Sequence, residues 1–266
     1  MTIRFWPLIG AMMLGACNEE GELVDAGVDA GAGVDASAAA DAAADAGADA
    51  DADGLLFGET FDVDGDGWPA GWTALGGVAS ATVVGGRGRL VPVVSGYTLA
   101  RMGHALPPGT VDVDVRFTLS MTDGVRQGVG LGVRQNGGHL GSTTPPGAGY
   151  AVFVEAFRGP MIGAWREVNG VESPIRLVSV PPLVDGTVYA VRLRVAQGAG
   201  LTTISGRIWP AGMPEPAAWN VEATDTTASL QDAMGGVAID AWNTATPGNG
   251  PTPAPIFVDD LEIRAW

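Results

Sequence analysis

The sequence predicts an all-β domain over residues 55–266, a two-sheet antiparallel jelly-roll sandwich, preceded by a disordered tether. Two observations carry this. Apolar and polar residues alternate with a period of two, as in Val111–Leu119 and Tyr189–Ala196, so one face of each strand is buried and the other meets water. Turn-forming clusters separate such runs, among them Thr122-Asp-Gly124, Asn136-Gly-Gly138, Asp185-Gly186 and Pro247-Gly-Asn-Gly250. No run longer than about ten residues combines a helical period with caps at both ends. Glycine supplies 41 of 266 residues and the charged fraction is only 17%, a balance that favours strands and turns.

Residues 1–16 read as an export signal: Arg4 gives a positive start and Phe5–Met13 an apolar run. That run is far short of the ~20 residues a membrane-spanning helix needs. Leu14-Gly15-Ala16-Cys17 then resembles a bacterial lipobox, which implies a diacylglyceryl group on the Cys17 thiol and membrane attachment through several acyl chains. Asn18, rather than Asp, follows the cysteine, which favours the outer over the inner membrane of the cell envelope. Residues 17–54 hold 11 acids and no base, and are mostly Asp, Ala and Gly. Such a segment has too little apolar surface to offset the entropy of ordering. A helix would also stack Asp41, Asp45 and Asp49 on one face, where like charges repel. As a flexible spacer it reaches on the order of 30–40 Å.

Within the domain, strands are expected at 55–61, 97–102, 111–119, 125–135, 149–157, 161–168, 175–180, 189–196, 201–209, 235–242 and 256–265. Two aromatic-rich stretches, Phe61-Asp-Val-Asp-Gly-Asp-Gly-Trp68 with Gly71-Trp72, and Ile208-Trp-Pro-Ala-Gly-Met-Pro-Glu-Pro-Ala-Ala-Trp219, precede Thr224-Asp-Thr-Thr227, Gly235-Gly-Val-Ala-Ile239 and Ile256-Phe-Val-Asp-Asp-Leu-Glu-Ile263. This order resembles the concanavalin A-like lectin/glucanase superfamily, in its laminin-G-like modules, across all of 55–266. The resemblance implies that the first and last strands pair in one sheet. It leaves function open, because this fold serves binders and enzymes alike.

Composition excludes several functions. The formal charge is −16, and all 14 basic residues are Arg, so lysine chemistry is absent and no basic stripe meets nucleic acid. A single cysteine permits no intrachain disulfide, and two histidines, His104 and His139, do not make a zinc site. The Glu-x-Asp-x-Glu strand motif of glucanases is missing, and Glu155, Glu167 and Glu172 have other spacings. Non-catalytic recognition of a carbohydrate or other envelope component is therefore the expected activity, with a cryptic glycoside hydrolase or a purely structural surface module as alternatives.

Two sites follow. Asp62-Val-Asp-Gly-Asp-Gly67 opens like a calcium loop but has Thr73 where an EF-hand needs Glu. The resemblance instead implies a structural Ca²⁺ held by Glu59, Asp62 and Asp260; the alternative is a solvated acidic turn. Alternation also puts Asp114, Arg116, Arg134, Glu155, Arg192, Arg194 and Arg207 on outward faces, and Gly128, Gly130 and Gly132 would let a ligand approach. Arg134, Glu155, Trp165 and Arg192 are the expected ligand contacts, with Trp242 and Phe153 as further stacking platforms. Cross-strand pairs that merely solvate the sheet are the competing reading. Trp68, Trp72, Trp209 and Trp219 are assigned to core and turn packing.

Overall fold

The computed structural model describes residues 54–93, 99–139, 145–155, 159–243 and 254–266. The export signal, Cys17 and all of the tether except Gly54 lie outside the described residues, as does the Pro247–Gly250 turn.

Among the described residues the domain is all-β, with two antiparallel sheets and a 3-10 turn at Ala228–Leu230. Sheet A holds β1 (Leu55–Glu59), β3 (Val78–Val83), β4 (Gly88–Pro92), β6 (Val113–Met121), β11 (Val188–Gln197), β12 (Thr202–Pro210), β13 (Val221–Asp225) and β15 (Ile256–Ala265). Its order is β13-β12-β11-β6-β15-β4-β3, with β1 also paired to β15. Sheet B holds β2 (Trp72–Gly76), β5 (Ala100–His104), β7 (Gln127–Gln135), β8 (Gly149–Glu155), β9 (Met161–Val168), β10 (Val171–Ser179) and β14 (Gly236–Asn243), in the order β10-β9-β8-β7-β14-β5-β2.

Alternation does the work the sequence assigns to it. Val113, Val115, Phe117 and Leu119 of β6 and Tyr189, Val191, Leu193 and Val195 of β11 face the interior. There they meet Val129, Leu131 and Val133 of β7, Val152 and Val154 of β8 and Ile239 of β14. The first and last strands pair as the resemblance implies, Leu55 opposite Arg264 and Glu59 opposite Leu261. β15 bulges at Asp259–Asp260, where Asp260 takes a positive φ of 49° and the strand passes from pairing with β4 to pairing with β1. Trp68 and Trp72 pack against the core as assigned, edge to face at 5.0 Å, and Trp72 lies 5.4 Å from the His104 ring.

Four strands were not anticipated: β2, β3, β4 and β13 are five or six residues long, and the first three are set among glycines. The strand expected at 97–102 is displaced to Ala100–His104.

Candidate functional site

The two outward faces of the sandwich hold its chemistry, and they differ. On sheet B, Arg101 stands opposite Asp240, and Asp240 opposite Gly130. Arg101 binds both oxygens of Asp240, at 2.7 and 2.9 Å, and also Glu167 of β9 at 2.7 Å. Four strand intervals separate β5 from β9, about 19 Å on a flat sheet, more than two side chains bridge. Sheet B is therefore curved, hollow outward, with Arg101 tying its walls together. Glu172 lies 3.9 Å from the same guanidinium. Arg101 is 1% exposed and Asp240 fully buried. Burial alone would lower the Arg101 pKa, but Asp240 and Glu167 outweigh it and hold the cation more firmly charged than usual.

The floor of the hollow is apolar. Phe153 meets Trp242 at 5.1 Å and Trp165 at 5.5 Å, and with Leu99 and Ala151 these rings form a second small core. The glycines of β7 make room for them. A methyl group on Gly128 would overlap the Trp242 ring, and one on Gly130 the Phe153 ring. The space the sequence suggested for a ligand is thus occupied by the protein's own aromatics. After β7 the chain turns down over this face: Gly138 accepts a hydrogen bond from Arg101, and His139 Nε2 lies 2.9 Å from the Leu99 carbonyl. Trp165 is 8% exposed and Glu155, opposite Gly128, 2%.

On sheet A the outward row is Arg116, Arg192 and Arg207, directly opposite one another on β6, β11 and β12. Like charges so placed repel. A carboxylate set between them compensates: Glu215 bonds to Arg192 at 2.8 Å, to Arg116 at 3.2 Å and to Arg207. One register pair further, Asp114 takes Arg192 at 2.6 Å and Arg194 at 3.0 Å. Glu262 and Arg264 of β15 pair with each other at 3.2 Å, leaving these four guanidiniums to Asp114 and Glu215.

Glu215 comes from the connection between β12 and β13, where Pro214 and Pro216 flank it and fix the backbone. Arg207 donates to the Pro216 carbonyl at 2.5 Å and the Ala217 carbonyl at 3.1 Å, holding the connection against the sheet. Trp219 then lies over the cluster, its ring centre 4.2 Å from the Arg207 guanidinium and 5.3 Å from that of Arg194. Trp266 covers Arg194 at 3.2 Å and is 59% exposed. Arg207 pKa is lowered by burial; Glu215 counters this, while Arg192, Arg116 and Arg194 add to it, and its Nε is a buried donor with no hydrogen-bond acceptor.

The structure separates the four expected ligand contacts. Trp165 and Glu155 share the hollow of sheet B, and Arg192 lies on the opposite sheet. Arg134 leaves its strand's alternation at a bulge, with φ of 53°, and turns into the end of the sandwich. It is buried there, donating to the Val111 and Leu230 carbonyls, Gln197 and Thr202. Glu59 and Asp62 of the expected calcium site are engaged locally. Glu59 accepts from the Phe61 amide at 2.9 Å, Asp62 from the Thr60 hydroxyl at 2.6 Å, and no three-donor metal group exists among the described residues. Asp62 does lie close to the Asp259–Asp260 bulge: burial, with Asp260 and Asp62 beside it, pushes the Asp259 carboxyl up despite the Asp260 amide and Arg87. Asp64 turns to the Gly86 amide at 3.0 Å. Sequence reasoning missed Glu215, for which the Pro-Glu-Pro triplet is the available signal, and placed Trp219 in packing alone.

No protein-family model and no curated protein matches this chain in sequence. Solved structures match in shape. The VIP36 exoplasmic/lumenal domain, in a Ca²⁺/Man2-bound form, superposes with a TM-score of 0.52 at 10% identity, covering 80% of this chain and 87% of that one. Lectin II from Ulex europaeus gives 0.51 at 14% identity over 79% and 97%. A Bacillus subtilis protein of unknown function with a galectin-like fold gives 0.51 at 12% over 79% and 96%. The fold is the concanavalin A-like lectin sandwich. At these identities the likeness concerns the fold alone.

Proposed function

We propose that this chain is a non-catalytic carbohydrate-recognition module, displayed at the cell envelope by a lipid on Cys17 with residues 18–54 as spacer. The observation that carries the reading is the outward face of sheet A, where guanidinium donors lie beside the indoles of Trp219 and Trp266. Sugars offer hydroxyl acceptors and an apolar ring face, which suits that combination of flat aromatics and fixed donors. Hydrolysis is disfavoured by the hollow of sheet B. There Asp240 and Glu167 commit oxygens to Arg101 instead of facing an open groove across a substrate.

The test is titration of the purified chain against neutral and acidic polysaccharides, with analysis of reducing ends. Binding to at least one glycan, weakened in Trp219→Ala and without product release, is expected. No binding to any, or release of oligosaccharides, overturns the proposal. Mass analysis of the membrane-extracted protein should find the diacylglyceryl mass on Cys17, and a free Cys17 thiol would remove the anchor from it.

A further inference from the structure

The chain carries 30 acidic against 14 basic residues, yet one patch of sheet A runs the other way. Among the described residues Arg116, Arg192, Arg194 and Arg207 form their ion pairs there with Asp114 and Glu215, while Glu262, opposite Arg116 on β15, bonds to Arg264. A protein that needed only a solvated sheet face would have no cause to line up three arginines across adjacent strands, since opposed like charges cost stability. The seat they form already holds a carboxylate, that of Glu215, which comes from a proline-bracketed connection and not from a strand. The Arg207 Nε remains a buried donor without an acceptor, and Arg116 is 47% exposed.

We infer that this patch binds the carboxylate or sulfate of an acidic saccharide, and that Glu215 is its built-in occupant, which the ligand's oxyanion displaces. This rests on the carbohydrate-binding reading above and gives it a substrate class. Guanidinium forks match planar carboxylates and sulfate through paired N–H donors. Trp219 supplies a ring beside the seat for the sugar to which the oxyanion is attached. A saccharide suits the patch better than nucleic acid does. In a uronic acid or a sulfated sugar the oxyanion sits on the ring itself, as Trp219 lies beside the seat, whereas nucleic acid holds its phosphates apart from the bases that stack.

The probes are polygalacturonate, dextran sulfate, unmodified dextran and single-stranded DNA, titrated by calorimetry against the full chain at two salt concentrations. Polygalacturonate or dextran sulfate should bind, more weakly at the higher salt, while dextran does not. Arg116→Gln, which alters an exposed side chain paired only with Glu215, should weaken binding on the order of fivefold, the factor a modest surface charge pair supplies. Glu215→Gln should tighten it by a similar factor at low salt, because the seat loses its resident anion. Weaker or unchanged binding in Glu215→Gln overturns the displacement. DNA binding as tight as the acidic glycans overturns the substrate class. Binding of dextran alone, lost in Trp219→Ala, overturns this inference but keeps the carbohydrate reading; no binding of any polysaccharide overturns both. Melting curves of each variant show that the domain remains folded.

Discussion

The outward faces of the two sheets solve one problem in opposite ways. Each holds arginines and carboxylates on a pleated surface that the core does not need. On sheet B one arginine, Arg101, faces Asp240, Glu167 and Glu172, and the group is sealed beneath the chain that follows β7. On sheet A four arginines share two carboxylates, Asp114 and Glu215, with indoles laid over them and only Arg116 exposed. A buried ion pair with two-point geometry fixes a shape but adds little net stability over apolar side chains of equal size. The sealed face holds the curve of sheet B, and the charged face is the one to which the proposed binding is assigned.

Removing one partner of a buried ion pair gives the largest effect. Arg101→Met leaves Asp240 and Glu167 as buried anions without a counter-ion, which should cost about 3–5 kcal/mol. The readout is the urea midpoint at unchanged m-value. Arg116→Met on sheet A removes an exposed pair and should cost less than about 1 kcal/mol. Equal losses would break the comparison. A difference of several-fold, with Arg101→Met destabilised and Arg116→Met intact, would sharpen it.

Next in size is the glycine row beneath the aromatics. Gly130→Ala drives a methyl into the Phe153 ring and, through it, against Trp242 and Trp165. Overpacking of this kind costs typically about 1–3 kcal/mol. Shortening the ring in Gly130→Ala/Phe153→Leu should recover part of it, so that the two changes are not additive. Additive losses in thermal or denaturant unfolding would mean that the glycine is not there to seat the ring.

How far the sequence foretold these faces depends on what each residue answers to. Val113 to Met121 and Val188 to Gln197 are long, and their alternation is set by burial on one side, so strand and face followed from pattern. Arg192, Arg194, Arg116, Arg207 and Asp114 were correctly placed outward for the same reason. Arg134 was not, because a bulge opposite Gly236 turns it inward and no local composition announces a bulge. The short strands Trp72–Gly76 and Gly88–Pro92 escaped notice because five residues are too few to show alternation, and cross-strand pairing holds them extended. The reach of Arg101 to Glu167 depends on sheet curvature, and that of Glu215 to Arg207 on a connection folding back. Both are tertiary facts that spacing along a chain does not encode.

Smaller than the Arg101 and Gly130 losses is the effect where the two sheets touch through polar atoms. The Tyr150 hydroxyl of sheet B donates to Asp225 at the end of β13 in sheet A at 2.9 Å, and Arg166 and Thr227 bond to the same carboxylate. Burial pushes the Tyr150 phenol up to about 12. The folded state thus favours the neutral phenol, and this contribution is whole below the ordinary value of about 10 and is lost as pH climbs toward about 12. Asp225 behaves oppositely. Burial would raise it, but bonds from Tyr150, Thr227 and Arg166 outweigh burial and lower it. Its contribution is present above about pH 4 and disappears as pH falls through the depressed folded value. Tyr150→Phe should cost about 1 kcal/mol at neutral pH, the worth of one such hydrogen bond. It should also abolish the alkaline loss and start acid unfolding at a higher pH. Because Arg166 and Thr227 remain on Asp225, the acid shift must stay well below the damage done by Arg101→Met. A Tyr150→Phe protein as acid-sensitive as that variant would place the fold's critical charges between the sheets and not in the hollow of sheet B.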